Sequence, residues 1–324
     1  MNPLSSIYGA VVTTRNALYE RGIFRARRLQ GHVISIGNLS TGGTGKTPFV
    51  ILLGELLKAR GLRFDVLSRG YGRATRGVLL VDPAGSAQEF GDEPLLIARR
   101  LQVPVIVGED RYRAGRFAES MLAESILAGS KLGPQIHLLD DGFQHRALAR
   151  DFDIVLATPQ DAEDQLLPAG RLREPTASLR RADAIVFTAA APAGLFSEFG
   201  KPIWRAHRTI APQNIPPQPV LFCGIARPQT FSLQLRLSGI QLQAEAFFRD
   251  HHSYTNKDIQ DLLELKQRSS AGGFVTTEKD AINLGANISM LQPLSVVPLN
   301  MHLDDAANAV DTILRTIDER KRTA

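Results

Sequence analysis

Gly42-Gly43-Thr44-Gly45-Lys46-Thr47 follows the apolar run Val33–Ile36 and opens a stretch with Phe49, Leu52, Leu53, Leu56 and Leu57 on one helical face, ended by Gly61. Strand, glycine-rich loop and amphipathic helix in that order are the context a phosphate-binding loop requires. Glycines let backbone N–H groups approach phosphate oxygens, and a helix N-terminus adds positive potential there. The candidate nucleotide-binding set is therefore Ser40, Thr41, Gly42, Gly43, Thr44, Gly45, Lys46 and Thr47. Lys46 is placed to reach the β- and γ-phosphates, and Thr47 to put its hydroxyl on Mg²⁺. Pro48 is compatible with a first helical turn, which needs no N–H there. Ser40 stands where the usual loop starts with glycine, so the loop is a variant. The alternative is a chance glycine-rich turn, against which the ordered context counts.

Outward from the loop, short apolar runs recur at Phe64–Leu67, Val78–Val81, Val103–Val107, Ile136–Leu139, Ile154–Ala157 and Ile185–Thr188, with helical patterns at 92–101 and 111–129. This alternation predicts an α/β fold of the P-loop NTPase type, a largely parallel sheet covered by helices on both faces. Pro212, Pro216, Pro217 and Pro219 mark 208–218 as a linker. A second alternation follows, with strands at Val220–Cys223, 244–248, 273–276 and 294–298 and helices near 228–235, 255–268 and 303–318. The expected organisation is an N-terminal basic helix over 1–30, a P-loop kinase domain over 31–212 and a smaller α/β domain over 213–324.

The run Ile136–Leu139 leads straight into Asp140-Asp141. An apolar strand ending in carboxylate is how P-loop proteins hold Mg²⁺, directly or through water. Either aspartate could instead cap a following helix.

With 324 residues, 44% hydrophobic and 22% charged, the chain has material for a large core, and global disorder is excluded. A single cysteine, Cys223, rules out an internal disulfide and fits a reducing compartment. Five arginines against Glu20 place four of the net +5 charges within residues 1–30. A nucleic-acid-binding face, which spreads basic charge over a folded surface, is not expected. Leu4, Ile7, Tyr8, Val11 and Leu18 lie at near-helical spacing ahead of those arginines. The result is an amphipathic basic helix, either docked on the protein's own core or lying on an anionic membrane. Residues 1–14 are too short for the roughly 20 apolar residues of a spanning helix. No basic region precedes an apolar run, so a secretory leader is not expected either.

Asp140-Asp141-Gly142-Phe143-Gln144-His145 is similar to the signature of the tetraacyldisaccharide 4′-kinases, the lipid A 4′-kinases. Further matching segments occur in order: Gly37-Asn38-Leu39, Ser68-Arg69-Gly70-Tyr71-Gly72, Gly91-Asp92-Glu93-Pro94, Leu166-Leu167-Pro168-Ala169-Gly170, Leu172-Arg173-Glu174-Pro175, Asp250-His251-His252-Ser253-Tyr254 and Thr277-Glu278-Lys279-Asp280. The resemblance runs from residue 1 to about 284. It departs at Asp161-Ala162-Glu163-Asp164, where members often carry Gly-Asn-Gly.

The resemblance implies transfer of the γ-phosphoryl of ATP to the 4′-hydroxyl of an acylated glucosamine disaccharide 1-phosphate. It places the work at the cytoplasmic face of the bacterial inner membrane, with the protein bound peripherally to an anionic surface, and it favours membrane contact for the N-terminal helix. No obligate protein partner is expected. It also implies Asp92 as the base, paired with a histidine of the Asp-His-His-Ser-Tyr segment, His251 ahead of His252. A carboxylate–imidazole pair suits that work because each group tunes the other. Asp92 could alternatively be a helix cap, and the histidines could be solvated or bind metal, though no second ligand cluster stands at zinc-like spacing. Lys46, Thr47, Asp140 and Asp141 take the phosphate and metal roles, and Arg69, Arg111, Arg171 and Arg173 are candidate anion clamps, Arg173 first. For Glu278 and Lys279 the spacing gives no mechanism.

Two other readings stay open on sequence. The loop also resembles that of membrane-associated partitioning ATPases, but those carry lysine where this chain has Thr41. A kinase for a soluble metabolite would show a similar loop.

Overall fold

The computed structural model describes residues 3–127 and 135–323. The chain runs α1 (Pro3–Glu20), β1 (His32–Asn38), α2 (Lys46–Ala59), β2 (Phe64–Ser68), β3 (Leu79–Leu80), α3 (Ala87–Phe90), α4 (Asp92–Leu101), β4 (Val105–Val107), α5 (Arg111–Leu127), β5 (Ile136–Asp140), β6 (Phe152–Ala157), β7 (Ala184–Phe187) and β8 (Ile203–Ile210). It continues through β9 (Val220–Cys223), α6 (Pro228–Leu237), β10 (Ala244–Phe247), α7 (Asn256–Arg268), β11 (Phe274–Thr277), α8 (Glu278–Leu284), β12 (Leu294–Val297), β13 (Leu299–Leu303) and α9 (Ala306–Thr323).

One sheet has the order β13-β8-β7-β6-β1-β5-β2-β4-β3. Its interior is parallel, and only the edge pairs β13–β8 and β3–β4 are antiparallel. Successive residues of β1 feed opposite cores. Ile34 and Ile36 pack with Phe49, Val50 and Leu53 of α2, and Val33 packs with Leu139 and with Ala114 and Ala118 of α5. Helices α2 and α4 close up at Gly54, where a Cβ would stand 2.5 Å from the Leu101 side chain. Strand β1 lies between β5 and β6, with Ile36 opposite Asp140 and Asn38 opposite Leu156. Such a switch point opens a crevice beyond the carboxyl ends of the strands, and the loops after β1 and β5 both enter it.

The second sheet, β10-β9-β11-β12, is wholly parallel. In β9, Val220 and Phe222 join a core with Tyr254, Ile259 and Leu262, while Leu221 and Cys223 join one with Phe231 and Leu235. Burial on both faces is what its uninterrupted apolar run predicts.

Three boundaries differ from the sequence expectation. The linker begins later than residue 208, because Arg208 to Ile210 belong to β8, whose alternating Arg205, Ala206, His207, Arg208 lacks an apolar run. The C-terminal unit does not keep residues 299–323. Strand β13 pairs with β8, and Val310, Ile313 and Ile317 of α9 join the core of the large sheet. The smaller lobe is therefore an insertion held by two crossings, which meet where Ala211 N–H donates to the Pro298 carbonyl at 3.4 Å. Finally, the N-terminal helix ends at Glu20 rather than near residue 30. The helix expected over 111–129 is α5, its last two positions lying outside the described residues.

Helix α1 buries Ser5, Gly9, Val12 and Asn16 against the protein. Leu4, Ile7 and Val11 point outward, each more than 60% exposed, and Ile23 and Phe24 follow them on the surface. Of the basic residues, Arg15, Arg27 and Arg28 pair with Glu174, Asp110 and Asp151, while Arg21 and Arg25 are exposed. No helix among the described residues is long and apolar enough to cross a membrane.

Candidate active site

The loop between β1 and α2 turns at Gly42 (φ 92°) and Gly45 (φ 94°), conformations that favour glycine. Asn38 organises it from below. The Asn38 amide is fully buried and donates to the Ser40 carbonyl and, at 2.9 Å, to the Thr44 hydroxyl, while its oxygen accepts from Lys46 Nζ at 3.2 Å. Lys46 Nζ also stands 3.6 Å from Asp141. The Thr41 N–H donates to the Arg171 carbonyl at 2.7 Å, and Ser40 bridges to Leu172. Arg208 of β8 donates to the Gly43 carbonyl at 3.0 Å. Burial and the nearby Arg227 lower its pKa to about 10, and no carboxylate pairs with it among the described residues.

At the end of β5, Asp140 receives the Ser68 hydroxyl on one oxygen at 2.9 Å. Its other oxygen is buried without a hydrogen-bond partner. Burial first, then the charges of Glu93 and Asp141, push this carboxyl up to about 7. An unpaired carboxylate oxygen held beside other carboxylates is suited to a divalent cation. Asp141, at φ 50°, takes Arg173 NH1 at 2.9 Å on both oxygens and lines the same cavity. Burial would raise its pKa, but Lys46 and Arg173 hold it below the ordinary carboxylate value. Thr47 lines the same cavity. No cluster of three or more His, Cys, Asp or Glu suited to a metal occurs among the described residues. A nucleotide-bound Mg²⁺ needs none, because phosphate oxygens and water complete its octahedron.

Across the cavity, Asp92 opens α4 and is almost fully buried. His251 Nδ1 lies 2.9 and 3.1 Å from its two oxygens. Asn283 donates to Asp92 at 3.3 Å, and Lys279 Nζ stands 3.7 Å from it. Burial would raise the Asp92 pKa, but the His251 hydrogen bond and the Lys279 charge bring it below the ordinary value. Donating to the Asp92 carboxylate in turn raises the pKa of His251. His251 adopts φ 59° in a loop packed on Gly224, where a Cβ would meet the Arg249 carbonyl at 2.9 Å.

The alternative through His252 is corrected. Its ring stacks on Phe248 at 4.7 Å and its Nε2 meets Asp258 at 3.1 Å, which fixes the loop rather than the site. Arg171 is likewise turned away, its Nε on Asp164 Oδ2 at 2.8 Å. Asp164 belongs to the segment that departs from the family pattern. Arg69 is exposed on the cavity rim. Arg111 is buried, its NH1 on the Glu109 carbonyl, with its pKa lowered by burial and by Arg69. Sequence reasoning missed Asn38 and Arg208 and assigned no role to Lys279 or Glu278. Asn38 sat in a matched segment and carried that signal; Arg208 carried none. Lys279 reaches Asp92 and Asp250, and Glu278 pairs with Arg100 at 2.9 Å, tying α8 to α4.

These groups share one cavity of about 750 Å³, lined by Thr41 to Thr47, Asp92, Asp140, Asp141, Arg173, His251 and Lys279, and by Tyr8, Val12 and Arg15 of α1. A phosphate-binding loop facing an acidic strand end and a carboxylate–imidazole pair defines a P-loop kinase. The family model described as tetraacyldisaccharide-1-P 4′-kinase matches residues 1–318. A tetraacyldisaccharide 4′-kinase of Koribacter versatilis is 48% identical, covering 99% of this chain and 100% of that one. That of Geobacter metallireducens is 38% identical over 96% of each. The crystal structure of LpxK from Aquifex aeolicus in complex with ATP superposes with a TM-score of 0.76 at 33% identity, covering 97% of this chain and 98% of that one. The chain belongs to the tetraacyldisaccharide 4′-kinase family.

Proposed function

We propose that the cavity transfers the γ-phosphoryl group of ATP to the 4′-hydroxyl of an acylated glucosamine disaccharide 1-phosphate whose acyl chains remain in the membrane. The observation that carries this reading is that the phosphate loop, the Asp92–His251 pair and the inner face of α1 line one cavity. The loop amides and Lys46 hold the β- and γ-phosphates. Thr47, Asp140 and Asp141 are the residues that would hold Mg²⁺, which when bound neutralises charge on the phosphoryl oxygens.

Asp92 takes the hydroxyl proton as the acceptor oxygen bonds to the γ-phosphorus and the bond to the β,γ-bridging oxygen breaks, releasing ADP. The depressed pKa of Asp92 keeps it ionised and ready at neutral pH. His251 orients the carboxylate and shares the proton that arrives there. Arg173 and Arg69 supply positive charge for phosphate oxygens of either substrate.

Leu4, Ile7 and Val11, with the exposed Arg21 and Arg25 nearby, support a peripheral seat on an anionic surface, which for this substrate is the cytoplasmic face of the inner membrane. The test is transfer of labelled γ-phosphate to tetraacyldisaccharide 1-phosphate in detergent micelles with Mg²⁺. Labelled lipid, lost in Lys46→Ala, is the expected result. ATP hydrolysis with no labelled lipid overturns the reading in favour of an ATPase switch.

A further inference from the structure

We propose that α1 is also a positioning element of the active site. Through Tyr8 and Asn16 it holds the segment Arg173-Glu174 so that the Arg173 guanidinium stays on Asp141. This rests on the kinase reading above and adds a positioning duty to a helix that also lines the cavity and presents its outer face to the membrane.

The two residues of that segment point in opposite directions, and each is fixed from α1. The Glu174 carboxylate is 0% exposed and receives Asn16 Nδ2 at 2.8 Å, Arg15 NH2 at 3.2 Å and Arg181 NH2 at 2.9 Å. A buried carboxylate without its donors is costly, so this residue stays where α1 and Arg181 place it. One position earlier, the Arg173 carbonyl accepts the Tyr8 hydroxyl at 2.9 Å. The Arg173 N–H donates to the Leu39 carbonyl at 2.7 Å, at the root of the phosphate loop. With its backbone held between α1 and that root, Arg173 reaches both oxygens of Asp141 at 2.9 Å.

Two further contacts join α1 to the same region. The Ala169 N–H donates to the Ser5 hydroxyl at 3.1 Å, and Arg146, five residues beyond Asp141, donates to the Asn16 carbonyl at 2.9 Å. The helix buries small and polar residues and turns its apolar residues outward. Its inner face thus makes hydrogen bonds to the Arg173 carbonyl, the Ala169 N–H and the Glu174 carboxylate. Seating of the outer face and placement of Arg173 are consequences of one rigid helix.

The test is a mutant cycle in the micellar kinase assay, combining Tyr8→Phe with Asn16→Ala in the full chain, alone and together with Arg173→Ala. Loss of hydrogen bonds that place a charged group lowers kcat about tenfold. Partitioning onto vesicles of phosphatidylglycerol and phosphatidylethanolamine should be unchanged. In the Arg173→Ala background the same substitutions should cost less than about twofold, because what they position is gone. If the losses multiply, or if the single-background variants keep full kcat, the proposal is overturned. Should Asn16→Ala fail to fold, Tyr8→Phe, which removes one oxygen, runs the same cycle. Absence of lipid phosphorylation by the unaltered protein would instead refute the kinase reading, so the two failures are distinguishable.

Discussion

At the residue scale, the proposed chemistry turns on what surrounds Asp92. A carboxylate this buried would ordinarily hold its proton, and the His251 hydrogen bond and Lys279 charge reverse that. The sign follows directly. A depressed carboxylate stays ionised through and below its ordinary range and loses activity only when pH falls through its lowered pKa. In His251→Ala the burial remains and the largest lowering influence is gone. The acid limb of kcat/KM should therefore move to higher pH, and a pH–rate profile measures it; an unmoved limb would remove Asp92 from the role. Asp92→Asn should cost about 10²–10⁴ in kcat while ATP binding by calorimetry stays intact.

The Asp92–His251 contact and the placement of Lys46, Asp140 and Asp141 on one cavity were legible in the sequence through matched segments. Lys279 was not, because its role comes from the approach of α8 to α4, which no local spacing encodes. Arg171 misled for the opposite reason. A matched neighbourhood drew attention to it, but Asp164, just outside the matched segment that begins at Leu166, holds its guanidinium.

At the scale of elements, strands with uninterrupted apolar runs, such as β1, β5 and β9, declared themselves because both faces are buried. β8 and β13 did not. They form the antiparallel edge of the large sheet, carry arginine and histidine on their open face, and pair over a long sequence separation. Helix α1 was visible as an amphipathic pattern, but sequence could not say which side faced the protein. The structure turns Leu4, Ile7 and Val11 outward. Replacing all three by serine removes the apolar surface that would enter the headgroup boundary, at about 1.5–3 kcal/mol for each fully buried side chain. Affinity for anionic vesicles in a flotation assay should fall at least about tenfold. The melting temperature should hold, because the inner face of α1 keeps its partners. Unchanged flotation would place the membrane contact elsewhere.

At the scale of the whole molecule, the site is assembled from two lobes. The phosphate loop, the acidic strand end and Asp92 come from the large sheet, and His251, Lys279 and Asn283 come from the inserted lobe. The lobes are covalently joined at 211–219 and at Pro298, and α8 contacts α4 through Glu278 and Arg100, at 2.9 and 3.1 Å. Arg100 also donates to Asn300 beside the second crossing at 2.9 Å. A half-buried, doubly hydrogen-bonded pair of this kind stabilises a particular arrangement of lobes more than it stabilises either lobe. Arg100→Ala should therefore separate two properties that a local defect would lower together. ATP binding at the loop, whose own residues come from the large sheet, should persist. The Asp92–His251 pair, which needs both lobes, should form less often, so kcat should fall and the radius of gyration from small-angle scattering should rise. If kcat falls with no change in scattering, Arg100 acts on the site itself and the two-lobe account of Asp92 activation is wrong.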